Sequence, residues 1–206
     1  TSNTLNVAFA NGNNAVLNVL GSLVVPQFPT NFGHITVAGG GAFSTGGASL
    51  ANADSGIVLV GAGGTFNVGG TFDNSGAATI NGAASVGTLA LTAEAVNGTG
   101  DLTVTTDFSQ TGGTLGTTFA NLALTKAGNF AVGALQASQN LALATTNNGD
   151  LAINGALTAG GNVTLSSTGA VSQSAAIAAS GLELLGAGGS YTLTNAGNNV
   201  ATLAAN

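Results

Sequence analysis

The sequence predicts an all-β protein folded as a parallel β-helix, a three-sided β-solenoid of about 20–22 residues per coil and roughly 9–10 coils. Two observations predict it. Apolar residues recur as short alternating pairs in three interleaved series that share one period. The segments between the pairs are dense in Gly and Asn.

The first series is made of Leu102/Val104, Leu122/Leu124, Leu141/Leu143, Val163/Leu165 and Leu182/Leu184. Alternation places both members of a pair on one face of a strand. The first members step by 20, 19, 22 and 19, and Leu203 follows after 21 more. A second series, Phe108, Phe130, Leu151, Val171 and Tyr191, steps by 22, 21, 20 and 20. A third, Leu115, Leu135, Leu157 and Ile177, steps by 20, 22 and 20. Three series with one period describe a coil with one short strand per side. Stacked coils then put like residues above one another, and the strands pair in parallel.

The N-terminal half is expected to continue the pattern more loosely. Ile35, Ile57 and Ile80 step by 22 and 23 and reach Leu102 after 22, while Phe43, Phe66 and Leu89 step by 23 and 23. The reading is of one β-helix domain over residues 1–206. Residues 1–34 form irregular first coils, and residues 35–206 form the regular ones. Pro26 and Pro29 interrupt any strand near them, which places a longer loop or bulged coil around Gln27 to Gly33.

Corners are read from Asn11-Gly12, Asn81-Gly82, Asn97-Gly98, Asn154-Gly155, Gly39-Gly40-Gly41 and Gly63-Gly64. Gly and Asn tolerate the positive φ of tight turns. Asn-Gly is also a hairpin signal, so an antiparallel sandwich or barrel is the competing fold. A meander has no reason to keep a threefold register near twenty residues. Long helices are disfavoured by the density of Gly and β-branched residues. Ten coils about 4.8 Å apart would span about 45–50 Å, each stabilised chiefly by its neighbours.

Composition narrows function. Charged residues make up 4% of the chain, against roughly 25% in an ordinary soluble domain. Net charge is −6, with Lys126 the sole Lys and no Arg, which excludes phosphate-neutralising nucleic-acid binding and basic-patch membrane binding. The absence of Cys excludes disulfides and thiolate chemistry. No apolar run is long enough to suggest a spanning helix, so no membrane insertion is expected. The chain opens on Thr with no basic-then-apolar leader, and is expected to be a processed chain or an excised piece.

No catalytic, cofactor or metal site is expected, and no enzyme activity. The acids are Asp54, Asp73, Glu94, Asp101, Asp107, Asp150 and Glu183. β-Helix enzymes that cleave polysaccharides cluster carboxylates, and Asp101 and Asp107 lie close enough to share a corner. The plainer reading is solubilising charge on the outer surface. Asp107 and Lys126, nearly one coil apart, are expected to pair between neighbouring coils, a contribution of about 0–1 kcal/mol. His34, the only His, has no triad or metal companions and reads as an exposed loop residue. The Gly61–Asn67 stretch lacks the Asp of a calcium-binding nonapeptide, and Gly39-Gly40-Gly41 lacks the Lys of a phosphate loop. Asn97 and Asn162 match the N-glycosylation pattern. Thr103 and Thr105 could begin an ice-binding Thr row, but Ala123/Thr125 and Ala142/Ala144 do not continue it.

The segments Ala159-Gly160-Gly161-Asn162-Val163-Thr164-Leu165, Thr168-Gly169-Ala170-Val171-Ser172-Gln173 and Tyr191-Thr192-Leu193-Thr194-Asn195-Ala196-Gly197-Asn198 resemble the repeats of filamentous-haemagglutinin-like adhesins, large exoproteins of Gram-negative bacteria. The likeness is clearest over residues 85–206. It implies a right-handed parallel β-helix, a secreted or cell-surface location, and roles in adhesion, biofilm or contact. The Asn-Pro-Asn-Gly-type motif of that family's export domain is absent, so a shaft segment or a stand-alone repeat protein is implied. The expected function is a structural and adhesive fibre element. Its partners would be itself, stacked head to tail, neighbouring coils of a larger shaft, or a surface glycan or protein. The alternatives are a polysaccharide-binding or polysaccharide-cleaving β-helix and an ice-binding solenoid.

Overall fold

The computed structural model describes residues 2–4, 10–27 and 30–206, with side chains from residue 10 onward. Among these, regular structure is all strand, with no helix, and the strands pair in parallel as a β-solenoid of about nine turns. The right-handed sense implied by the resemblance is the one strand twist favours for parallel crossovers. Contacts divide the chain into two compact units, Thr1–Gly116 and Thr117–Asn206.

In the first unit the first side is formed by Ser2–Thr4, Ser22–Val24, Ala42–Ser44 and the opening halves of the long strands Thr65–Asn74, Ala83–Leu91 and Asp101–Gln110. Thr30–Asn31, Leu50–Asn52 and the closing halves of the same long strands form the second side. Val16–Val19, His34–Val37, Ile57–Val60, Ala77–Ile80, Ala95–Asn97 and Thr114–Leu115 form the third. Thr30–Asn31 is thus a strand inside the expected loop region, while residues 28 and 29 of that loop lie outside the described residues.

The N-terminal series are corrected by this register. Ile35 stacks on Val58, and Ile57 pairs instead with His34 and Ala77 and is 38% exposed. The reason lies in the run Ile57-Val58-Leu59-Val60. Four consecutive apolar residues do not say which alternate pair faces inward, and here Val58 and Val60 do. Leu102 does not continue Ile80. It sits on the first side above Ala84, which pairs with Phe66. Leu89 likewise belongs to the second side, between Phe72 and Phe108. The cause is coil length. Thr65, Ala83 and Asp101 are register partners, so two successive coils are shorter than their neighbours, and a fixed stride carried over from the longer coils lands on the wrong side. Gly87 absorbs one shortening, where the register shifts between Val86 and Thr88. A Cβ on Gly87 would stand 2.4 Å from the Gly69 carbonyl oxygen.

The core of this unit is filled by rings and branched aliphatics. Phe43 and Phe66 stack at 5.3 Å between centroids, 12° from parallel, and Phe72 meets Phe66 edge-on at 5.4 Å. Such pairs add about 0.5–1.5 kcal/mol beyond area burial.

Between the second and third sides runs a buried asparagine ladder. The Asn11 Nδ2 donates to Asn31 Oδ1, Asn31 Nδ2 to Asn52 Oδ1 and Asn52 Nδ2 to Asn74 Oδ1, each at 2.8 Å. The second proton of each amide closes the corner onto the third side, at the carbonyls of His34 (2.9 Å), Ile57 (3.3 Å) and Ala77 (3.2 Å). A carboxamide offers two donors and two acceptor lone pairs, so one residue type both links coils and fastens a corner. Asn31, Asn52 and Asn74 are fully buried. The ladder stops where Leu91 occupies the next register position, and there Asn74 Nδ2 turns to the Gly76 carbonyl at 2.6 Å.

In the second unit the first side is Asn121–Ala127, Asn140–Thr146, Asn162–Ser166 and the later parts of Ile177–Leu185 and Asn199–Ala205. Phe130–Val132, Leu151–Ile153, Ala170–Gln173 and Ser190–Thr192 form the second side. Leu135–Ala137, Leu157–Ala159 and the opening residues of Ile177–Leu185 and Asn199–Ala205 form the third. Leu122, Leu141, Val163, Leu182 and Leu203 are successive register partners. So are Phe130, Leu151, Val171 and Tyr191, and so are Leu135, Leu157 and Ile177. The first members of the three series lie in the first unit, with Leu102 and Phe108 buried and Leu115 half-buried beside Val96.

An exposed asparagine row lines the start of the first side here: Asn140 Nδ2 donates to Asn121 Oδ1 at 2.9 Å, and the Asn162 backbone N–H to Asn140 Oδ1 at 3.0 Å. The two rows predict opposite sensitivities. Asn52→Ala strips a partner from Asn31 and from Asn74 inside the core and should lower the unfolding free energy by about 2–4 kcal/mol. Asn140→Ala, at the surface, should cost less than about 1 kcal/mol. Urea denaturation of the two variants beside the parent chain measures both.

Candidate functional site

The acidic residues do not converge. Asp54, Asp73, Glu94, Asp150 and Glu183 are exposed, and no group of three or more His, Cys, Asp or Glu able to hold a metal occurs among the described residues. Asp101 opens the strand Asp101–Gln110 opposite Ala83 on the first side, whereas Asp107 lies past the corner, opposite Thr88 on the second. Several acids have structural partners. Asp150 Oδ1 accepts the Ala170 N–H at 2.8 Å, and Glu183 Oε2 accepts the Thr164 hydroxyl at 3.1 Å. Both bonds tie a coil to the next. Asp107 and Lys126, expected to pair, lie on strands of different units, and both are half-buried.

His34 opens the strand His34–Val37 instead of lying in a loop. Its side chain is exposed and its backbone N–H donates to the Ala15 carbonyl at 2.8 Å. Asn97 and Asn162 are both exposed, at the end of one strand and the start of another. Thr103 pairs with Ser85, which pairs with Asn67, so this outer position carries Asn, Ser and Thr in successive coils and no Thr row. Among the predicted Asn-Gly corners only Gly98 has positive φ, at 145°, and a Cβ there would stand 1.9 Å from the Ile80 carbonyl oxygen.

The surface that stands out in the second unit is its last coil. Leu203 is 67% exposed, whereas its register partners Leu182, Val163 and Leu141 are 7%, 0% and 0% exposed. Tyr191, Leu193, Val200 and Leu203 line a concave face of about 690 Å³ with Leu182 and Leu184. Beneath it the corners are fastened. Asn198 and Gln173 exchange side-chain amide bonds at 2.8 and 2.9 Å, and Asn198 Oδ1 also accepts the Ile177 N–H at 2.9 Å. The Tyr191 hydroxyl donates to the Leu185 carbonyl and accepts the Ser167 N–H at 3.3 Å. Ser167 Oγ in turn donates to the Gly149 carbonyl at 2.9 Å. The last described coil thus keeps the core register, with its corners held by side-chain hydrogen bonds. Sequence reasoning assigned Leu203 and Tyr191 to the core series, and they are the register partners of Leu182 and Val171.

A family model described as repeats of unknown function (DUF5649) matches residues 142–205. That stretch covers three coil steps, from Ala142 through the register partners Thr164 and Glu183 to Ala204, so the repeat is built of stacked coils. No curated protein and no solved structure matches the chain.

Tyr191 tests how firmly the last coils are held. Tyr191→Phe removes the hydroxyl that donates to the Leu185 carbonyl, while the Ser167 N–H keeps its own bond to that carbonyl at 3.0 Å, and should destabilise these coils by about 0.5–1.5 kcal/mol. Amide hydrogen exchange should then rise together over the last coils, by roughly two- to tenfold.

Proposed function

We propose that the chain is a structural and adhesive element of a secreted or cell-surface bacterial fibre, in which this coil stack is continued by further coils packed head to tail. The observation that carries the reading is the parallel stack itself, in which Leu122, Leu141, Val163, Leu182 and Leu203 hold one core register from coil to coil, a register that a further coil can continue. An unpaired parallel strand edge beside exposed apolar side chains is a template for another strand. A contact of one end with the opposite end of the next copy does not close on itself and generates an open filament. Further support comes from the match to a repeat family, from the resemblance to filamentous-haemagglutinin-like repeats, and from a scarcity of charge that suits stacking. Identical charges repeated coil upon coil would repel.

Negative-stain electron microscopy and sedimentation velocity across a concentration series test this. Filaments with an axial repeat, or oligomers growing with concentration, are expected. Leu203→Asp should weaken the association at least about tenfold, because a carboxylate would be buried at the contact. A chain that stays monomeric at every concentration overturns self-stacking.

A further inference from the structure

We infer that the first unit carries a binding notch for a neutral pyranose sugar, with Phe32 as its stacking platform. The notch arises from the corners that follow the ladder asparagines. Four residues separate Asn11 from the strand Val16–Val19 and Asn52 from Ile57–Val60, but only two separate Asn31 from His34–Val37 and Asn74 from Ala77–Ile80. Long and short corners therefore alternate from coil to coil. The turns 12–15 and 53–56 project two coils apart, about 9–10 Å, and the short corner Phe32-Gly33 is recessed between them.

This recess is built firmly. The Phe32 N–H donates to the Asn11 carbonyl at 2.8 Å. A Cβ on Gly33 would stand 2.4 Å from the carbonyl oxygens of Ala15 and Gly12, so the backbone packs closely there. The Ser55 hydroxyl bridges the turns, 2.9 Å from the Phe32 carbonyl and 3.4 Å from Asn13 Oδ1. The Phe32 side chain is left 43% exposed. With Asn13, Asp54, Ser55, Asp73 and Ser75 it lines a concavity of about 460 Å³.

The chemistry of this lining selects the ligand. An exposed ring offers a flat apolar surface with a negative face, which suits the C–H face of a pyranose. Around it stand two exposed carboxylates, an amide and two hydroxyls, acceptors matched to a rim of sugar hydroxyl donors. No cation lines the notch, and the chain carries a net charge of −6, so a sugar acid would be repelled. The notch is complete within the first unit and does not depend on the stacking of chains.

The test is saturation-transfer difference NMR on the full chain with methyl β-galactopyranoside, methyl β-glucopyranoside and methyl α-mannopyranoside, and with glucuronate as the anionic comparison. At least one neutral glycoside should show transfer, strongest at the ring C–H protons of one face, and glucuronate none. Phe32→Ala should reduce the transfer about tenfold, the scale of truncating one aromatic anchor. Asp54→Asn, on an exposed turn, should reduce it less while leaving the amide spectrum otherwise unchanged. The inference is overturned by no transfer from any of the three glycosides, or by transfer that survives Phe32→Ala in a chain whose amide spectrum shows it folded. Filament formation is read separately, so either result leaves the fibre reading to its own test.

Discussion

Every coil of this molecule has to present its backbone to the coil before and the coil after it in parallel register, and the remaining features follow from that requirement. Parallel pairing fixes which residue of one coil lies over which residue of the next. A position is therefore inward in every coil or outward in every coil. The inward positions become columns, such as Leu122 to Leu203 on the first side of the second unit. A core column tolerates changes of size, as where Phe66, Ala84 and Leu102 succeed one another. Corners carry the harder constraint, since they turn the chain through a large angle while leaving backbone groups to satisfy.

Two solutions to the corner problem are visible. Where Gly stands, successive backbones approach so closely that a Cβ has no space, as at Gly98 over Ile80. Where Asn stands buried, its side chain supplies what the turning backbone lacks. The ladder Asn11, Asn31, Asn52 and Asn74 satisfies a carbonyl on the third side at each of its first three rungs and hands the remaining donor to the next rung. A fully satisfied buried polar column specifies register more sharply than apolar packing does, because a shift of one residue would orphan every amide at once. Leu91 can end the ladder because Asn74 finds a carbonyl in its own corner.

This arrangement explains what was legible in the sequence. Parallel three-sided coiling was readable over the second unit because its strands alternate cleanly and its coils keep nearly one length from Leu122 to Leu203. Over the first unit the same reading slipped by one position at Ile57 and by a whole side at Leu89 and Leu102. A continuous run such as Ile57-Val58-Leu59-Val60 carries no alternation, and a shortened coil such as the one from Thr65 to Ala83 defeats a fixed stride. The Asn ladder did leave a trace, since its members recur at intervals of 20, 21 and 22. That trace is masked because Asn is also the ordinary residue of exposed turns, and sequence does not separate a buried Asn from an exposed one. Phe32 was invisible for a related reason. It falls within the loop or bulged coil expected around Gln27 to Gly33, and only the corner geometry shows its ring turned outward.

The same geometry indicates where function can arise in such a scaffold. Strand positions are bound to their columns, so a change at one of them propagates to the coils above and below. Corner length is not bound in this way, since the ladder needs only its Asn at each rung. Between Asn11 and Asn74 the corners alternate between four and two residues with no break in the hydrogen-bonded column. Inserting or removing two residues there shapes the outer surface while leaving the core untouched. The end face is governed by the opposite logic, because it must match the register of whatever coil covers it. A stack of this kind therefore separates its two tasks physically: continuation is written into the columns, and recognition is left to the corners.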